Sequence, residues 1–167
     1  MESIRIIRHK SINQQELQKI CEIKAKSWQY DFDSQQRWIN NNISGNDIHV
    51  ILENNETPLA YLNLVSIYVI INDVPIEAFG VGNVCSVEKG VGYGSNLLLR
   101  VNEYILKESK IGVLFCNKKL LPFYKKLNWR CIDKKYFLFN KEKVDFEIMV
   151  FNIKAKIDKL SYNGKYF

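Results

Sequence analysis

Asn72-Asp73 stands between two long apolar runs, Leu59 to Ile71 and Val74 to Val87, and this hairpin constrains the fold more than any other feature of the chain. Asn and Asp suit a two-residue antiparallel connection because both tolerate the positive φ angles that such a turn demands. Leu59 to Ile71 carries apolar residues on both alternating faces, as a central strand covered on both sides needs. Helices must supply that cover. Leu17, Ile20, Cys21 and Trp28 fall on one face of a helix over Gln14 to Trp28, and Asp33 to Asn42 reads as a second, polar helix capped by Asp33 or Ser34.

Around these elements, Ile4 to Ile7 and Ile48 to Leu52 read as strands, with Asn54-Asn55-Glu56 as a turn. After the hairpin come a helix over Asn96 to Leu106 and a short strand at Val113 to Cys116. Leu120, Phe123, Tyr124 and Leu127 then recur at helical spacing, and strands follow near Tyr136 to Phe139 and Phe146 to Ile153. The order predicts an α/β fold with a mixed, mostly antiparallel central sheet flanked by helices. A chain of 167 residues suits one domain, 1–167, with 154–167 as a basic C-terminal tail; Ile153, Ile157 and Leu160 predict a short helix there.

Lys and Arg total 24 against 18 Asp and Glu, a formal charge of +6. The lysines are scattered and accompany no nucleic-acid motif, so no nucleic-acid partner is expected. A basic balance also suits an anionic cofactor. No apolar run approaches the roughly 20 residues of a membrane span, and the first residues lack a secretory signal's apolar stretch, so the expectation is a cytoplasmic protein without a membrane partner. Cys21, Cys85, Cys116 and Cys131 are widely spaced with only His9 and His49 to join them; they predict buried thiols and no metal site.

The candidate site begins at VCSVEKGVGYGS, Val84 to Ser95. Glycines at 90, 92 and 94 let the backbone aim several N–H groups at one point, and the helix that follows adds its positive end there, which suits a pyrophosphate. Two familiar phosphate loops are excluded. A Walker loop needs Lys-Ser or Lys-Thr after its last glycine, where Ser95-Asn96 stands; a dinucleotide fingerprint needs a third glycine at 95 and an acid near Leu114. What remains, Lys89-x-x-Gly92-x-Gly94, resembles the acyl-CoA signature of the GNAT N-acyltransferase superfamily. Further on, NKKLLPFYKKLNW resembles the family's strand-then-helix segment, with Asn117, Phe123, Tyr124, Lys126 and Trp129 on matching positions and Asn128 where the family has glycine.

The resemblance implies the GNAT fold, in which two splayed strands form an acyl-CoA cleft, and acetyl-CoA or another acyl-CoA as cofactor. It implies that backbone groups from Val84 through Cys85 to Val87 bond the pantetheine arm, one of them facing the developing oxyanion. Lys89, Gly90, Gly92, Tyr93, Gly94 and Ser95 would meet the pyrophosphate, and Asn117 the arm from the second strand. Only Glu88 separates Val87 from Lys89, so the turn is shorter than the family's. Tyr124 stands where the family protonates the departing thiolate. The base is open between Glu77 and water with backbone carbonyls, Asn83 standing close to where relatives carry an acid.

An acceptor site lined by Trp28, Tyr30, Asp31, Phe32, Asp33, Asp73, Glu77 and Asn83 would take a cationic amine by charge and cation–π contact. The tail could also lie over the acceptor side. The long hairpin and the V-x-x-V-C-x-V strand loosely resemble aminoglycoside 2′-acetyltransferases. The expectation is acetyl transfer to a primary amine of a small molecule, such as an amino sugar, by direct attack in a ternary complex, with a homodimer left open. The alternatives are a non-catalytic acyl-CoA-binding or regulatory domain, an enzyme using a longer acyl or acyl-carrier donor, and, from another class, a basic nucleic-acid-binding module.

Overall fold

The computed structural model describes residues 2–167. Its elements run β1 (Glu2–Arg8), α1 (Gln14–Ser27), α2 (Phe32–Asn42), β2 (Ile48–Asn54), β3 (Thr57–Ile71), β4 (Val74–Ser86), α3 (Tyr93–Lys107), β5 (Ile111–Cys116), α4 (Leu121–Lys125), β6 (Arg130–Ile132), β7 (Phe137–Phe139), β8 (Glu147–Phe151) and β9 (Leu160–Tyr162). Among the described residues the strands form one nine-stranded, mostly antiparallel open sheet in the order β1-β2-β3-β4-β5-β8-β6, with β9 pairing both β3 and β7. This is the expected fold class. No described helix is long and apolar enough to cross a membrane.

The residues group into two compact units, and β3, β4 and α3 each run from one into the other. The first comprises the chain to Val65, Gly82–Val101 and Phe167; the second comprises Ser66–Val81 and Asn102–Tyr166.

In the first unit β1 pairs antiparallel with β2, and β2 with the start of β3. The hairpin between β2 and β3 turns on Asn55 and Glu56 at φ 48° and 64°. Helix α1 starts on a reciprocal cap in which the Asn13 side-chain oxygen accepts the Glu16 N–H and the Glu16 carboxylate accepts the Asn13 N–H, so two orphan donors are satisfied at once. Its Leu17, Ile20, Cys21 and Ile23 pack with Ile39, Ile51, Tyr61 and Cys85 into one apolar cluster. Helix α2 is capped by Asp31, whose carboxylate accepts the Ser34 N–H at 2.7 Å, rather than by Asp33 or Ser34. The helix therefore begins a residue earlier than its polar pattern predicts.

In the second unit the β3–β4 hairpin turns on Asn72 and Asp73 at φ 50° and 66°, the mirror-image turn expected of that dipeptide. β4 pairs in parallel with β5 over Ala78–Gly80, a connection that needs a crossover helix, here α3. Gly112 on β5 leaves room for the Trp129 indole, since a Cβ there would stand 2.6 Å from the ring. The indole N–H donates to Asn102, whose amide donates in turn to the Leu127 carbonyl. Strand β6 was not legible in the sequence.

The tail forms a strand rather than a short helix. The Asn72 side-chain oxygen accepts the N–H groups of Asp158 and Lys159, and the Asn72 N–H donates to the Lys159 carbonyl. Ile70 and Ile71 then pair with Ser161 and Leu160. Backbone groups committed in this way cannot close helical turns, whatever the apolar spacing.

Candidate functional site

The glycine turn belongs to the first unit. β4 ends at Ser86, and Val87 donates its N–H to the Leu59 carbonyl. Gly90 and Gly92 follow at φ 85° and 94°, with no atom within 4 Å of where a Cβ would stand, so the conformation and not crowding demands glycine there. Helix α3 starts at Tyr93, three residues before the expected Asn96, because the Asn96 N–H already closes a helical bond on Gly92 at 3.0 Å. The N–H groups of Tyr93, Gly94 and Ser95 thus lie in the first turn, where an α-helix leaves its donors without intrahelical partners. Lys89 is exposed beside them.

The strand that leads into this turn is kinked. Asn83 takes φ 53° in the middle of β4 and donates its side-chain amide to the Asn63 side-chain oxygen at 2.7 Å. Asn63 is fully buried, and among the described residues its own amide nitrogen has no partner. Next to the kink, a Cβ at Gly82 would collide with the backbone of Phe167. Val84 is half-buried, whereas the Cys85 side chain is buried in the cluster under α1 and α2, where desolvation pushes its thiol up to about 12. Any role of Cys85 toward a ligand is therefore a backbone role.

In the second unit Asn117 follows β5, and its side-chain oxygen accepts the Lys119 N–H, capping a 3-10 turn that leads into α4. Tyr124 is buried on α4, edge-on to Phe123 and Trp129 with centroids at 5.0 and 6.4 Å. Burial holds its phenol well above the ordinary value. Asn128 sits at φ 65°, the left-handed conformation that suits Asn in place of glycine.

Glu77 is exposed on β4. Its carboxylate accepts the Tyr68 hydroxyl at 2.9 Å and pairs with Lys110 at 3.3 Å, and these partners hold its pKa below the usual range. A carboxylate so held is a weaker base. The kink at Asn83 also interrupts the alternation by which Glu77 and Asn83 would share a face.

No known family model matches the sequence, and no curated protein matches it significantly. Solved structures do. An acyl-CoA N-acyltransferase from Pseudomonas aeruginosa superposes with a TM-score of 0.65 at 15% identity, over 91% of this chain and 100% of its own. A GNAT family acetyltransferase from Brucella melitensis in complex with acetyl-CoA gives 0.59 at 12%, over 96% of both chains. An aminoglycoside 6′-N-acetyltransferase complexed with coenzyme A gives 0.62 at 11%, over 87% of this chain and 94% of its own. The chain has the GNAT fold. Other neighbours are longer proteins, of which it spans 33% or less.

Of the acceptor candidates on the GNAT fold, those of the α1–α2 connection fall together in the first unit. Trp28 caps the C-terminal end of α1, and its carbonyl accepts the Tyr30 N–H and the buried Gln35 amide. Trp28, Tyr30 and Phe32 are exposed. The Asp31 carboxyl is held below its ordinary range by the Ser34 cap, and Asp33 is exposed in the first turn of α2. Asp73 belongs to the second unit, paired with Lys159 at 2.8 Å.

Two polar residues escaped the sequence reading although each carries a signal. Lys24 is 2% exposed, three residues after Cys21 on the buried stripe of α1, with its ammonium 4.1 Å over the Trp38 ring. Desolvation lowers its pKa to about 8. Asn63 interrupts the apolar run of β3. A polar side chain at a core period is the feature that would have found both.

Proposed function

We propose that this chain is an acyl-CoA-dependent N-acetyltransferase that acetylates a primary amine of a small molecule. The observation that carries the reading is the left-handed Gly90 and Gly92 turn placing the N–H groups of Tyr93, Gly94 and Ser95 in the first turn of α3. Convergent N–H donors at a helix start suit a pyrophosphate, and solved neighbours of the same fold carry coenzyme A and acetyl-CoA. When bound, the cofactor supplies an acetyl thioester.

In this reading Gly92 to Ser95 hold the phosphates, and the backbone from Val84 through Cys85 to Val87 holds the pantetheine arm. One N–H between Val84 and Ser86 would stabilise the charge that develops on the acyl oxygen, the Val87 N–H being bound to the Leu59 carbonyl. Asn117 contributes through its amide nitrogen, its oxygen being engaged by Lys119. Tyr124 would donate its proton to the departing sulfur; burial keeps the phenol protonated at physiological pH and also makes it a weaker acid, so the donation would act through a hydrogen bond formed in the transition state. The acceptor amine passes its proton to water, since the Glu77 carboxylate is held by Tyr68 and Lys110. The exposed aromatic and acidic residues Trp28, Tyr30, Asp31, Phe32 and Asp33 suit a cationic acceptor.

Binding of CoA and of dephosphorylated pantetheine, compared by calorimetry on the wild type, tests the phosphate assignment. Tighter binding of CoA supports it; equal affinity contradicts it.

A further inference from the structure

We propose that the second unit carries a binding pocket for a small polyamine, formed where the turn after β7 meets the end of the chain. The cavity measures about 310 Å³, within the small-molecule range. It is lined by three aromatic residues, Phe139, Phe146 and Tyr166, together with Val144 and the exposed Glu142, Lys143 and Asp145. The lining residues carry two acids against one lysine, and among the described residues no ion pair joins Glu142 or Asp145; the Lys134 ammonium, which donates to the Asp145 carbonyl, pairs with Glu147.

The pocket is built by specific contacts. Asn140 and Lys141, at φ 50° and 68°, form a tight turn in which Phe139 and Glu142 exchange backbone hydrogen bonds at 2.9 Å. This fixes Glu142 beside the Phe139 ring. The Asn140 side chain then clamps the tail, donating to the Gly164 carbonyl and accepting the Gly164 N–H, while the Tyr162 hydroxyl donates to the Lys165 carbonyl. Held at these points, the tail lays Tyr166 on Phe139 with centroids 4.5 Å apart and planes at 24°, and edge-on to Phe146 at 5.7 Å. Tyr166 remains 56% exposed, an aromatic surface kept in contact with water.

Aromatic faces attract organic cations, and carboxylates beside them accept N–H hydrogen bonds. Two acidic residues in one aromatic pocket match a ligand with at least two protonated nitrogens. In the amine-acetylation reading, on which the purpose of the pocket rests, the same chemical class serves as acceptor; the binding itself does not depend on catalysis.

Calorimetry of the full chain with spermidine, without acetyl-CoA, tests the pocket, with an uncharged diol of the same chain length as control. The proposal expects spermidine to bind and the diol not to bind. Tyr166→Leu should weaken spermidine at least about fivefold, whereas Tyr166→Phe keeps the ring and the affinity. Glu142→Gln with Asp145→Asn should weaken it by a similar factor and reduce its salt dependence. No spermidine binding, equal binding of the diol, or affinity unchanged in both Tyr166→Leu and the doubly neutralised protein overturns the proposal. Pocket-dependent binding in a protein that acetylates no amine would retain the pocket and remove the enzymatic reading.

Discussion

Nδ1 of His9 and Nε2 of His49 share a hydrogen bond of 2.9 Å, and Nδ1 of His49 bonds the Tyr61 hydroxyl at 2.8 Å. His49 and Tyr61 are fully buried. Desolvation, then the charges of His9 and Lys24, lower the His49 pKa from 6.5 to about 3. Below pH 6.5 the unfolded chain takes up a proton that the folded chain refuses, so stability falls with pH over the window from 6.5 toward 3. The slope from this group is about 1.4 kcal/mol per pH unit. Urea unfolding at a series of pH values should show the loss, and His49→Phe should flatten it while lowering stability at neutral pH by stranding Tyr61 and His9. An unchanged slope would mean that His49 titrates normally.

Lys24 has the same sign at the other end of the scale. Its pKa falls from 10.5 to about 8 on burial, so the cost of a buried ammonium is full below pH 8 and is relieved as pH rises to 10.5. Against wild type, Lys24→Met should be more stable at pH 7 by roughly 1–3 kcal/mol, a difference that shrinks through that window. Equal stability at both ends would show the ammonium to be solvated.

Gly112→Ala should destabilise the protein by about 1–3 kcal/mol, because the new methyl meets the Trp129 indole in a packed interior. Thermal unfolding measures it. Gly92→Ala acts differently: its Cβ meets open space, and the penalty comes from φ 94°. Turning the helix start out of line should weaken CoA roughly tenfold, about 1.4 kcal/mol, in a folded protein; unchanged CoA affinity would remove the turn from the phosphate site.

Tyr124→Phe keeps the ring against Phe123 and Trp129 and deletes the proton donor. Its kcat should fall at least about tenfold with CoA affinity unchanged. Glu77→Gln should change kcat less than about threefold, because water takes the acceptor's proton. Steady-state kinetics separates the two. A larger loss in Glu77→Gln than in Tyr124→Phe would exchange their roles.

Much of the fold was legible because its signals are local. Asn72-Asp73 marks its own turn, the apolar faces of α1 and β3 mark burial, and Gly90 and Gly92 mark a backbone that side chains resist. The tail was not legible: its apolar spacing is helical, but the Asn72 side chain, over eighty residues away in sequence, captures its backbone. Asp31 was read as an acceptor ligand, and its carboxylate caps α2, a contact decided by where the helix begins. Tyr166 and Phe139 gave no sign of meeting, since the clamp between Asn140 and Gly164 is a long-range contact.

The proposed reaction moves an acetyl group from CoA to an amine. The direct measurement incubates the protein with acetyl-CoA and a panel of small primary amines, amino sugars and spermidine included, and follows thiol release together with acceptor mass. One thiol should be released for each acetyl group gained by an amine, with the rate at least about tenfold lower in Tyr124→Phe. CoA binding without acetylation of any amine would contradict the proposed reaction and leave a non-catalytic acyl-CoA-binding domain.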